Sequence, residues 1–548
     1  MRRLISTATL FLLTVESAPL VAQSFPSDDP VIKRIWMLGM DSSRTADLAQ
    51  ALFDSLGPRL MGSPDIKRSQ DWLVGMYRSW GVDARNEQYG TWRGWRRGYS
   101  HIDLIEPRQR SLEGTMVGFS PGTNKSDLTA TAIVLPRFGD STEFVKWVPS
   151  ARGKFVLASA PMPSCRPTED WARNATAESK VRYDSLRAQV IREWAGRNVR
   201  GTGYSLALGG GELGMRLEEG GAAGLITSRP KDSRGAREIF ETYNARTPTV
   251  SLSCEDYGLV FRLADKNQNP KIRMNLDAQA LGEVPVFNTI ATVKGSEKPD
   301  EYILLSAHFD SWDGASGATD NGTGTLTMLE AMRILRQAYP KPKRTIVVGH
   351  WSGEEEGLVG SRAFSEDHPE IVKGLHASFN QDNGTGRIQN VSGGGLVATA
   401  DHIPQWLSRM PKEFQGQITF TVGGPSGGGS DGASFSCYGA PAFGLGAANW
   451  DYGNYTWHTE RDTYDKIVFD DLKGNATITA MLVYLASEDP AFMSRERVAL
   501  EKMAAEAAAR AAANPAAAGG RGGGGRGSGP TTWPTCVKAP RTTSPRLK

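Results

Sequence analysis

The sequence predicts an α/β protein with a mostly parallel mixed sheet flanked by helices, interrupted by an inserted β-rich domain. Long apolar runs of strand length alternate with helical segments over residues 284–490, which is typical of a sheet covered on both faces. Residues 92–282 differ, because short β-like pieces there alternate with turns rich in proline and glycine. Before both, apolar residues at helical spacing predict helices over residues 41–56 and 65–80.

The predicted strands over residues 302–305, 344–351 and 374–379 share one feature at their ends. Each is bounded by turn residues and followed by side chains that can bind a metal. In open α/β sheets, ligands bind beside the carboxyl ends of the strands. A later loop adds one histidine. The candidate side chains, in chain order, are His308, Asp310, Asp320, Glu354, Glu355, Asp382 and His458.

Taken alone, the first loop also has an ordinary structural interpretation, in which His308 is a loop histidine with its hydrogen bonds satisfied and Asp320 caps a helix. The full set favours a pair of zinc ions, because zinc takes histidine nitrogen and carboxylate oxygen. Two zinc ions about 3.5–4 Å apart need a bridging carboxylate and about two further ligands each. Five candidate ligands supply that number: His308, Asp320, Glu355, Asp382 and His458.

Bulk composition narrows the function classes. At 548 residues, with 39% hydrophobic and 22% charged residues, the chain has the composition of globular protein with two or three domains. The net charge is +3, but the tail from residue 515 carries six basic residues and no acid, so the remaining chain is acidic. This argues against nucleic acid as a partner, since such domains carry a concentrated basic face.

The amino terminus, residues 1–23, is predicted to be a signal peptide. Arg2 and Arg3 precede an apolar run over residues 4–15, and residues 21–23 form a plausible cleavage region. The apolar run is too short to span a membrane, so we expect no membrane span and a secreted or periplasmic protein. In such a protein a Cys165–Cys254 disulfide and free buried thiols both remain open. The four cysteines include no C-x-x-C pair, which argues against a cysteine zinc site.

Six sequence pieces together resemble one family of enzymes. They are His308-Phe-Asp, Asp320-Asn-Gly-Thr-Gly, Glu354-Glu-Glu-Gly-Leu-Val-Gly-Ser, Asp382, Ser430-Asp-Gly-Ala-Ser-Phe and Trp457-His-Thr-Glu-Arg-Asp-Thr. The set is similar to di-zinc metallopeptidase family twenty-eight, which includes bacterial leucyl aminopeptidases, carboxypeptidase Q and glutamate carboxypeptidase II. The run that begins at His308 resembles the carboxypeptidase Q branch. The resemblance covers residues 41–85 and 284–490, and the insert resembles, less specifically, a protease-associated domain.

The resemblance implies a role for each ligand. His308 and Asp382 would bind one zinc ion, Glu355 and His458 the other, and Asp320 would bridge the two. The family therefore implies two Zn²⁺ per chain.

The resemblance also implies roles beside the metals. Glu354 would be the general base that takes a proton from metal-activated water, and Asp310 would hold the second nitrogen of His308. Asp431 would act in the same way near His458. Trp312, Trp450, Tyr452 and Tyr455 are candidates for lining the substrate pocket, with Tyr455 preferred near the reacting carbonyl and ordinary packing as the equal alternative.

The resemblance divides the chain into five segments. They are a signal peptide (1–23), the N-terminal part of the peptidase domain (24–91), an inserted protease-associated-like domain (92–282), the catalytic zinc peptidase domain (283–492), and an Ala-rich helix over residues 495–513 with a disordered Gly/Arg/Pro tail (493–548 in all).

The expected function is that of a secreted zinc-dependent exopeptidase, an aminopeptidase or dipeptidase acting on a peptide or dipeptide. A carboxypeptidase is one alternative, with Arg387 or Arg461 holding the substrate carboxylate. A single-zinc glutaminyl cyclase on the same scaffold is another, and a binding protein on an inactive scaffold is a third. A homodimer also remains open.

Overall fold

A mixed sheet runs through the protein, and the computed structural model describes residues 27–124, 126–195, 211–502, 505, 509 and 532–543. Within those residues the sheet has 14 strands. In chain order they are β1 Asp83–Glu106, β2 Arg110–Ser111, β3 Gly114–Met116, β4 Leu128–Val134, β5 Phe155–Leu157, β6 Gly224–Thr227, β7 Thr249–Leu252, β8 Lys271–Val293, β9 Lys298–His308, β10 Arg344–Trp351, β11 Leu375–Asn380, β12 Ile388–Ser392, β13 Thr419–Thr421 and β14 Ala442–Ala447.

Helices cover this sheet and fill the connections between its strands. Those of the described residues are α1 Pro30–Trp36, α2 Thr45–Gln50, α3 Pro64–Ser79, α4 Ser141–Trp147, α5 Thr168–Asn174, α6 Ala177–Ala195, α7 Gly211–Glu219, α8 Cys254–Asp265, α9 Thr323–Ala338, α10 Val359–Asp367, α11 Pro369–Gly374, α12 Thr399–Ser408, α13 Lys412–Gln415, α14 Ala433–Ser436, α15 Tyr452–Tyr455 and α16 Phe469–Glu488.

The two helices predicted near the amino terminus are both present, with different bounds. α3 begins where the sequence places it, because the Ser63 hydroxyl accepts a hydrogen bond from the Ile66 N–H at 3.2 Å and Pro64 occupies the first helical position. The helix expected over residues 41–56 is shorter: α2 covers only its middle and continues as the π-helical turn Ala51–Leu56.

The half of the sheet that carries the predicted ligands has the strand order β13-β12-β14-β11-β9-β10-β8. β9 is parallel to β10 and β11, β11 is parallel to β14, and β12 is parallel to β13, whereas β8 is antiparallel to β10 and β12 is antiparallel to β14. The mostly parallel mixed sheet is therefore confirmed. Because β9, β10 and β11 are adjacent and parallel, their carboxyl ends meet at one edge of the sheet.

Both faces of this half are buried. Ile303 and Leu305 of β9 pack into a core that includes apolar residues of α3, α9 and α16. Leu304, between them, points to a second core with Val347 of β10 and residues of α10 and α14. Alternation of side chains along a strand thus supplies both cores, and the strand ends are held between two layers of helices.

The insert is joined to this half through paired strands. β1 and β8 pair antiparallel from Asp83 and Thr292 at one end to Glu106 and Lys271 at the other. The predicted segment boundaries at residues 91–92 and 282–283 therefore fall inside continuous strands. Beyond them, β4, β5, β6 and β7 are parallel to one another and β4 pairs with β8. Helices α4–α8 also belong to the insert, so it contains more helix than its β-like sequence pieces suggest.

Two disulfides are present, Cys165–Cys254 within the insert and Cys437–Cys536 at the C-terminal side. The first is the bridge that the sequence left open, and the second was not anticipated. Among the described helices none has the length and apolarity needed to cross a membrane. The predicted signal peptide and the Gly/Arg-rich stretch over residues 519–529 lie outside the described residues.

The C-terminal prediction needs two corrections. Residues 495–499 are not helical, and Arg497 instead forms a β-bridge with Leu396; helical residues begin at 500. Residues 532–543, which the composition placed in a disordered tail, lie on the body of the protein. The Cys437–Cys536 bridge and the ion pairs of Arg541 with Asp367 at 2.8 Å and Glu366 at 2.9 Å hold them there, and composition reveals neither.

Candidate metal centre

The predicted ligands from three strand ends and one loop converge in two groups. In the first, His308 is the last residue of β9, and its Nε2 lies 3.4 Å from Asp320 Oδ1 and 3.2 Å from Asp382 Oδ1. In the second, His458 Nε2 lies 3.2 Å from Asp320 Oδ2 and 2.9 Å from Glu355 Oε2. Within each group the ligand atoms all lie within 4.8 Å of one another. Asp320 belongs to both groups, with one carboxylate oxygen directed to each.

Asp310 lies behind the first group. His308 Nδ1 is 3.1 Å from the backbone carbonyl of Asp310 and 3.6 Å from its carboxylate. The same carboxylate accepts hydrogen bonds from the backbone N–H groups of Glu354 at 3.3 Å and Glu355 at 3.2 Å. Asp310 therefore orients His308 and also fixes the turn after β10 that carries both glutamates, a contact that the sequence did not predict.

The loop of Asp320 is fixed by a second carboxylate, that of Asp462. Its oxygens accept hydrogen bonds from the N–H groups of Thr319 at 2.7 Å and Asp320 at 2.9 Å. Asp462 is buried, and burial raises its pKa to about 7. Asp462 lies in the motif that begins at Trp457, but the sequence alone gives it no role. Its position four residues after His458 was the available signal.

Arg59 fixes the same loop from the other side. It is fully buried, and its guanidinium donates hydrogen bonds to the carbonyls of Phe309 at 2.7 Å, Ser316 at 2.7 Å and Gly317 at 2.8 Å. Those carbonyls lie between the two ligands His308 and Asp320. Nothing in the local sequence distinguished Arg59 from a surface arginine in the turn between α2 and α3.

Acidic groups outnumber positive charges at this centre, and the pKa values of its side chains reflect the imbalance. Burial raises the pKa of Glu354 well above its usual range and raises that of Glu355 to about 7. Burial opposes protonation of the histidines, yet Glu355 and Asp320 raise the pKa of His458 to about 10, and Asp382 and Glu354 raise that of His308. Protonated imidazoles thus balance the carboxylates. Divalent cations would replace those protons, since metal binding to such ligands releases protons.

A second observation also indicates that these ligands suit divalent cations. Among the described residues, the buried Glu355 Oε1 has no hydrogen-bond partner. A buried carboxylate oxygen without a partner is costly unless an ion or water satisfies it. Two imidazoles and three carboxylates, arranged around a shared Asp320, could therefore hold two cations side by side.

The three glutamates of the turn differ in their surroundings. Glu355 belongs to the second ligand group, whereas Glu354 belongs to neither group and remains available for proton transfer. Both carboxylate oxygens of Glu356 are buried and have no hydrogen-bond partner among the described residues. Glu356 is therefore not the solvated loop acid that the sequence suggested.

The predicted neighbours of the ligands have varied environments. Asp431 is fully buried, and burial raises its pKa to about 7 while His308 lowers it, so its electrostatic partner is His308 rather than the expected His458. The Tyr455 ring lies 5.6 Å from the ammonium group of Lys466. A different tyrosine, Tyr452, is the one whose pKa is raised by burial and then by Asp320 and Asp382.

From the sequence, Trp312 is expected to line the substrate pocket, and Arg387 or Arg461 to hold a substrate carboxylate. Trp312 is 6% exposed, and its ring centroid lies 6.2 Å from that of His458. Arg461 pairs with Glu113 at 3.2 Å and Glu460 at 3.5 Å. Arg387 is exposed on the loop before β12.

A mostly parallel α/β sheet whose strand ends bring histidines and carboxylates around a shared carboxylate is an arrangement typical of metal-dependent hydrolases. Residues 288–483 match the model of peptidase family M28.

The chain is similar to carboxypeptidase Q from Bos taurus, with 25% identity over 354 residues, which covers 65% of this chain and 67% of the relative. Carboxypeptidase Q from Xenopus laevis is 27% identical over 63% of this chain and 66% of its own length. The match thus spans about two thirds of these relatives. Leucine aminopeptidase 1 from Coccidioides posadasii is 30% identical over 36% of this chain and 55% of its own length.

Two solved structures share the fold. A peptidase M28 precursor from Shewanella amazonensis superimposes with a TM-score of 0.61 and 24% identity, covering 85% of this chain and 97% of the other. A zinc aminopeptidase from Bacillus subtilis has a TM-score of 0.51 and 18% identity, covering 80% and 93%. Both coverages of this chain extend beyond the 196 residues of the family model, so the likeness includes parts of the fold outside residues 288–483.

Proposed function

We propose that the protein is a secreted zinc-dependent exopeptidase that hydrolyses peptide bonds near a chain end, as an aminopeptidase or dipeptidase. One observation carries this proposal: two ligand groups share Asp320, and Glu354, the neighbour of the ligand Glu355, belongs to neither group. The match of residues 288–483 to a peptidase family model and a fold shared with a zinc aminopeptidase support the choice of peptide substrate and of zinc.

In this proposal His308 and Asp382 would hold one zinc ion, Glu355 and His458 would hold the other, and Asp320 would contribute to both positions. Zinc bound there supplies Lewis-acid polarisation of a carbonyl and lowers the pKa of a water at the site. Asp310 and Asp462 keep these ligands in place through the backbone hydrogen bonds described above.

Glu354 has the proton-transfer role. It accepts a proton from the attacking water while the water oxygen forms a bond to the scissile carbonyl carbon. When the carbon–nitrogen bond then breaks, Glu354 returns the proton to the leaving amine, so the carboxylate is regenerated. Burial raises the pKa of Glu354, and a raised pKa suits a group that must hold the proton until it returns it to the leaving amine.

A carboxypeptidase is the second candidate, and specific contacts favour it. The ammonium group of Lys231 lies 4.8 Å from the Trp457 ring and the guanidinium of Arg229 lies 4.6 Å from the Phe240 ring, next to the loop of His458. Both cations pair with one carboxylate, Glu238, at 2.7–2.8 Å, which leaves net positive charge beside the site. Such charge suits the carboxylate of a substrate's C-terminal residue, and two relatives are carboxypeptidases Q by name.

The single-zinc glutaminyl cyclase is less well supported, because the structure offers ligands for two cations. Export is supported by two disulfides, which persist in oxidising compartments, together with the predicted signal peptide.

The test of the proposed function compares adjacent glutamates. Glu354→Gln should lower kcat by about 10²–10⁴-fold, the usual contribution of a general base, while zinc content stays at the wild-type value. Glu356→Gln, the neighbouring residue outside both ligand groups, is the matched control and should retain turnover. Full activity in Glu354→Gln, or a wild-type protein that hydrolyses no aminoacyl or dipeptide substrate with zinc added, would refute the proposal.

Test peptides blocked at one terminus at a time show which end of the substrate the enzyme recognises. An aminopeptidase cleaves peptides with a free amine and an amidated carboxyl end, whereas a carboxypeptidase cleaves peptides with an acetylated amine and a free carboxylate. A dipeptidase requires both ends free.

A further inference from the structure

The two histidines of the candidate metal centre are oriented by different means. His308 Nδ1 faces the carbonyl and carboxylate of Asp310 at 3.1 Å and 3.6 Å. This is the usual arrangement for a metal-binding histidine, in which the second ring nitrogen is held by a hydrogen bond. His458 Nδ1 is buried, yet it has no hydrogen-bond partner among the described residues. Among the described residues, no hydrogen bond at this second ring nitrogen orients the imidazole of His458.

Aromatic rings enclose His458 instead. The Trp457 ring stacks on the imidazole with centroids 3.8 Å apart and an interplanar angle of 21°. The Phe240 ring meets it edge to face at 5.0 Å and 82°, and the Trp312 ring lies at 6.2 Å and 66°. Contacts of this kind have preferred geometries, so three rings around one imidazole restrict its rotation.

One of these rings comes from the insert, and its backbone is fastened to the same loop. The N–H of Ile239 donates a hydrogen bond of 2.7 Å to the carbonyl of His458, and Glu238 forms a β-bridge with Thr459. The Arg237 N–H donates to the Glu460 carboxylate at 3.2 Å. Residues 237–240 of the insert therefore lie along residues 458–460.

Phe240 is itself held in place. Its ring packs against Trp312 with centroids 5.6 Å apart, and the guanidinium of Arg229 lies 4.6 Å from the ring. Arg229 is in turn paired with Glu238 at 2.8 Å, two residues before Phe240. The residue is 7% exposed. A ring buried and packed on several sides is stiff enough to constrain its neighbour.

We propose that Phe240 of the insert is a positioning residue for His458, so that the insert sets the affinity of one of the two metal positions. The inference rests on the proposed function, because it takes His458 as a zinc ligand. It predicts an asymmetry: loss of the Phe240 ring weakens the position held by Glu355 and His458 and leaves the position held by His308 and Asp382 nearly unchanged.

The experiment measures zinc binding by the full-length protein, without substrate. Apo-protein is titrated with Zn²⁺ by calorimetry, and zinc retained after dialysis against graded chelator is counted by mass spectrometry. Phe240→Ala should bind one zinc ion as tightly as wild type and the other about 10-fold or more weakly, since changes next to a metal ligand typically cost 10–100-fold in affinity. Phe240→Leu, which keeps apolar bulk, should recover part of that loss.

The matched control is Phe155→Ala, which removes a fully buried ring from the core of the insert away from His458. It should lower the thermal stability of the apo-protein and leave both zinc affinities within about 2-fold of wild type. Because the readout is affinity rather than stability, a fold defect common to both variants does not imitate the expected result.

Three outcomes would overturn the inference. If Phe240→Ala bound each of the two zinc ions with the same affinity as wild type, the positioning role would be refuted while the proposed function would stand. The same loss in Phe155→Ala would show a general effect of insert stability and not a positioning role. A wild-type protein that binds no zinc would remove the proposed function as well.

Discussion

Asp462 Oδ2 accepts a hydrogen bond of 2.9 Å from the backbone N–H of Asp320, the carboxylate shared by the two ligand groups. The position of the shared ligand thus depends on a residue from the loop that also carries His458. Movement of that loop would disturb both groups at once.

Replacing Asp462 by asparagine should weaken metal binding. The side-chain amide retains one acceptor, but its NH₂ group must then face one of the two N–H donors of Thr319 and Asp320. We expect zinc affinity to fall by about 10–100-fold, measured by competition with a chromophoric chelator. Asp465→Asn, at a side chain that is 72% exposed, is the matched control and should bind zinc as wild type does. Unchanged affinity in Asp462→Asn would contradict the role given to Asp462.

The sharing of Asp320 predicts an ordered set of zinc contents. Asp320→Asn should lose both ions, because one carboxylate oxygen serves each group. Asp382→Asn and Glu355→Gln should each retain one ion and lose the other. Elemental analysis after gel filtration counts zinc per chain directly. Two ions in Asp320→Asn would rule out the bridging assignment.

A buried histidine away from the metal centre predicts part of the acid sensitivity. His350 is fully buried with Nε2 2.6 Å from the Tyr77 hydroxyl, and burial lowers its pKa to about 3, from an ordinary value of 6.5. Between those values the unfolded chain binds a proton at this residue and the folded chain does not. Stability should therefore fall as pH falls, by about 1.4 kcal/mol per pH unit from this one group.

Urea unfolding of the apo-protein at several pH values between 6.5 and 4 measures this slope. His350→Gln removes the titrating ring, so the free energy of unfolding should depend less steeply on pH by that amount. Tyr77→Phe removes the hydrogen bond and keeps the imidazole, so its slope should match wild type. A wild-type slope in His350→Gln would show that other groups carry the acid sensitivity.

The Cys437–Cys536 bridge should stabilise the folded chain. It closes a loop of 99 residues, and native disulfides that close long loops typically contribute about 2–4 kcal/mol. The double variant Cys437→Ser, Cys536→Ser should lose a comparable free energy of unfolding and expose the C-terminal side to limited proteolysis. Removing Cys165 and Cys254 in the same way should leave cleavage after residue 532 unchanged. Equal cleavage of wild type and the first double variant would show that noncovalent contacts, among them those of Ala539, Arg541 and Thr543, suffice to hold these residues.

The sequence predicted the sheet and the ligand set because both depend on local patterns. Apolar strands such as β10 are buried along their whole length, so their sequences show an unbroken apolar run. Each ligand lies at or shortly after the end of such a strand, or within a short motif that can be recognised in the sequence. The sequence did not predict contacts between distant segments. Phe240 lies more than 200 residues from His458, and no local feature marks it as a neighbour of that ring. The predicted bounds of the insert fall inside β1 and β8, and a strand that continues through two cores shows no change of pattern at the crossing.

The paired strands β1 and β8 have a practical consequence for exchanging the insert between relatives. With 24 and 23 residues they form an antiparallel ribbon about 75 Å long. One end of the ribbon packs in the core of the ligand-bearing half, and the other end packs in the core of the insert. A chimaera with a joint in only one of the two strands would leave the hydrogen-bonding edge of that strand without its matching partner. Joints placed opposite each other on the ribbon, for example at Arg93 and Glu283, would transplant the donor module in register.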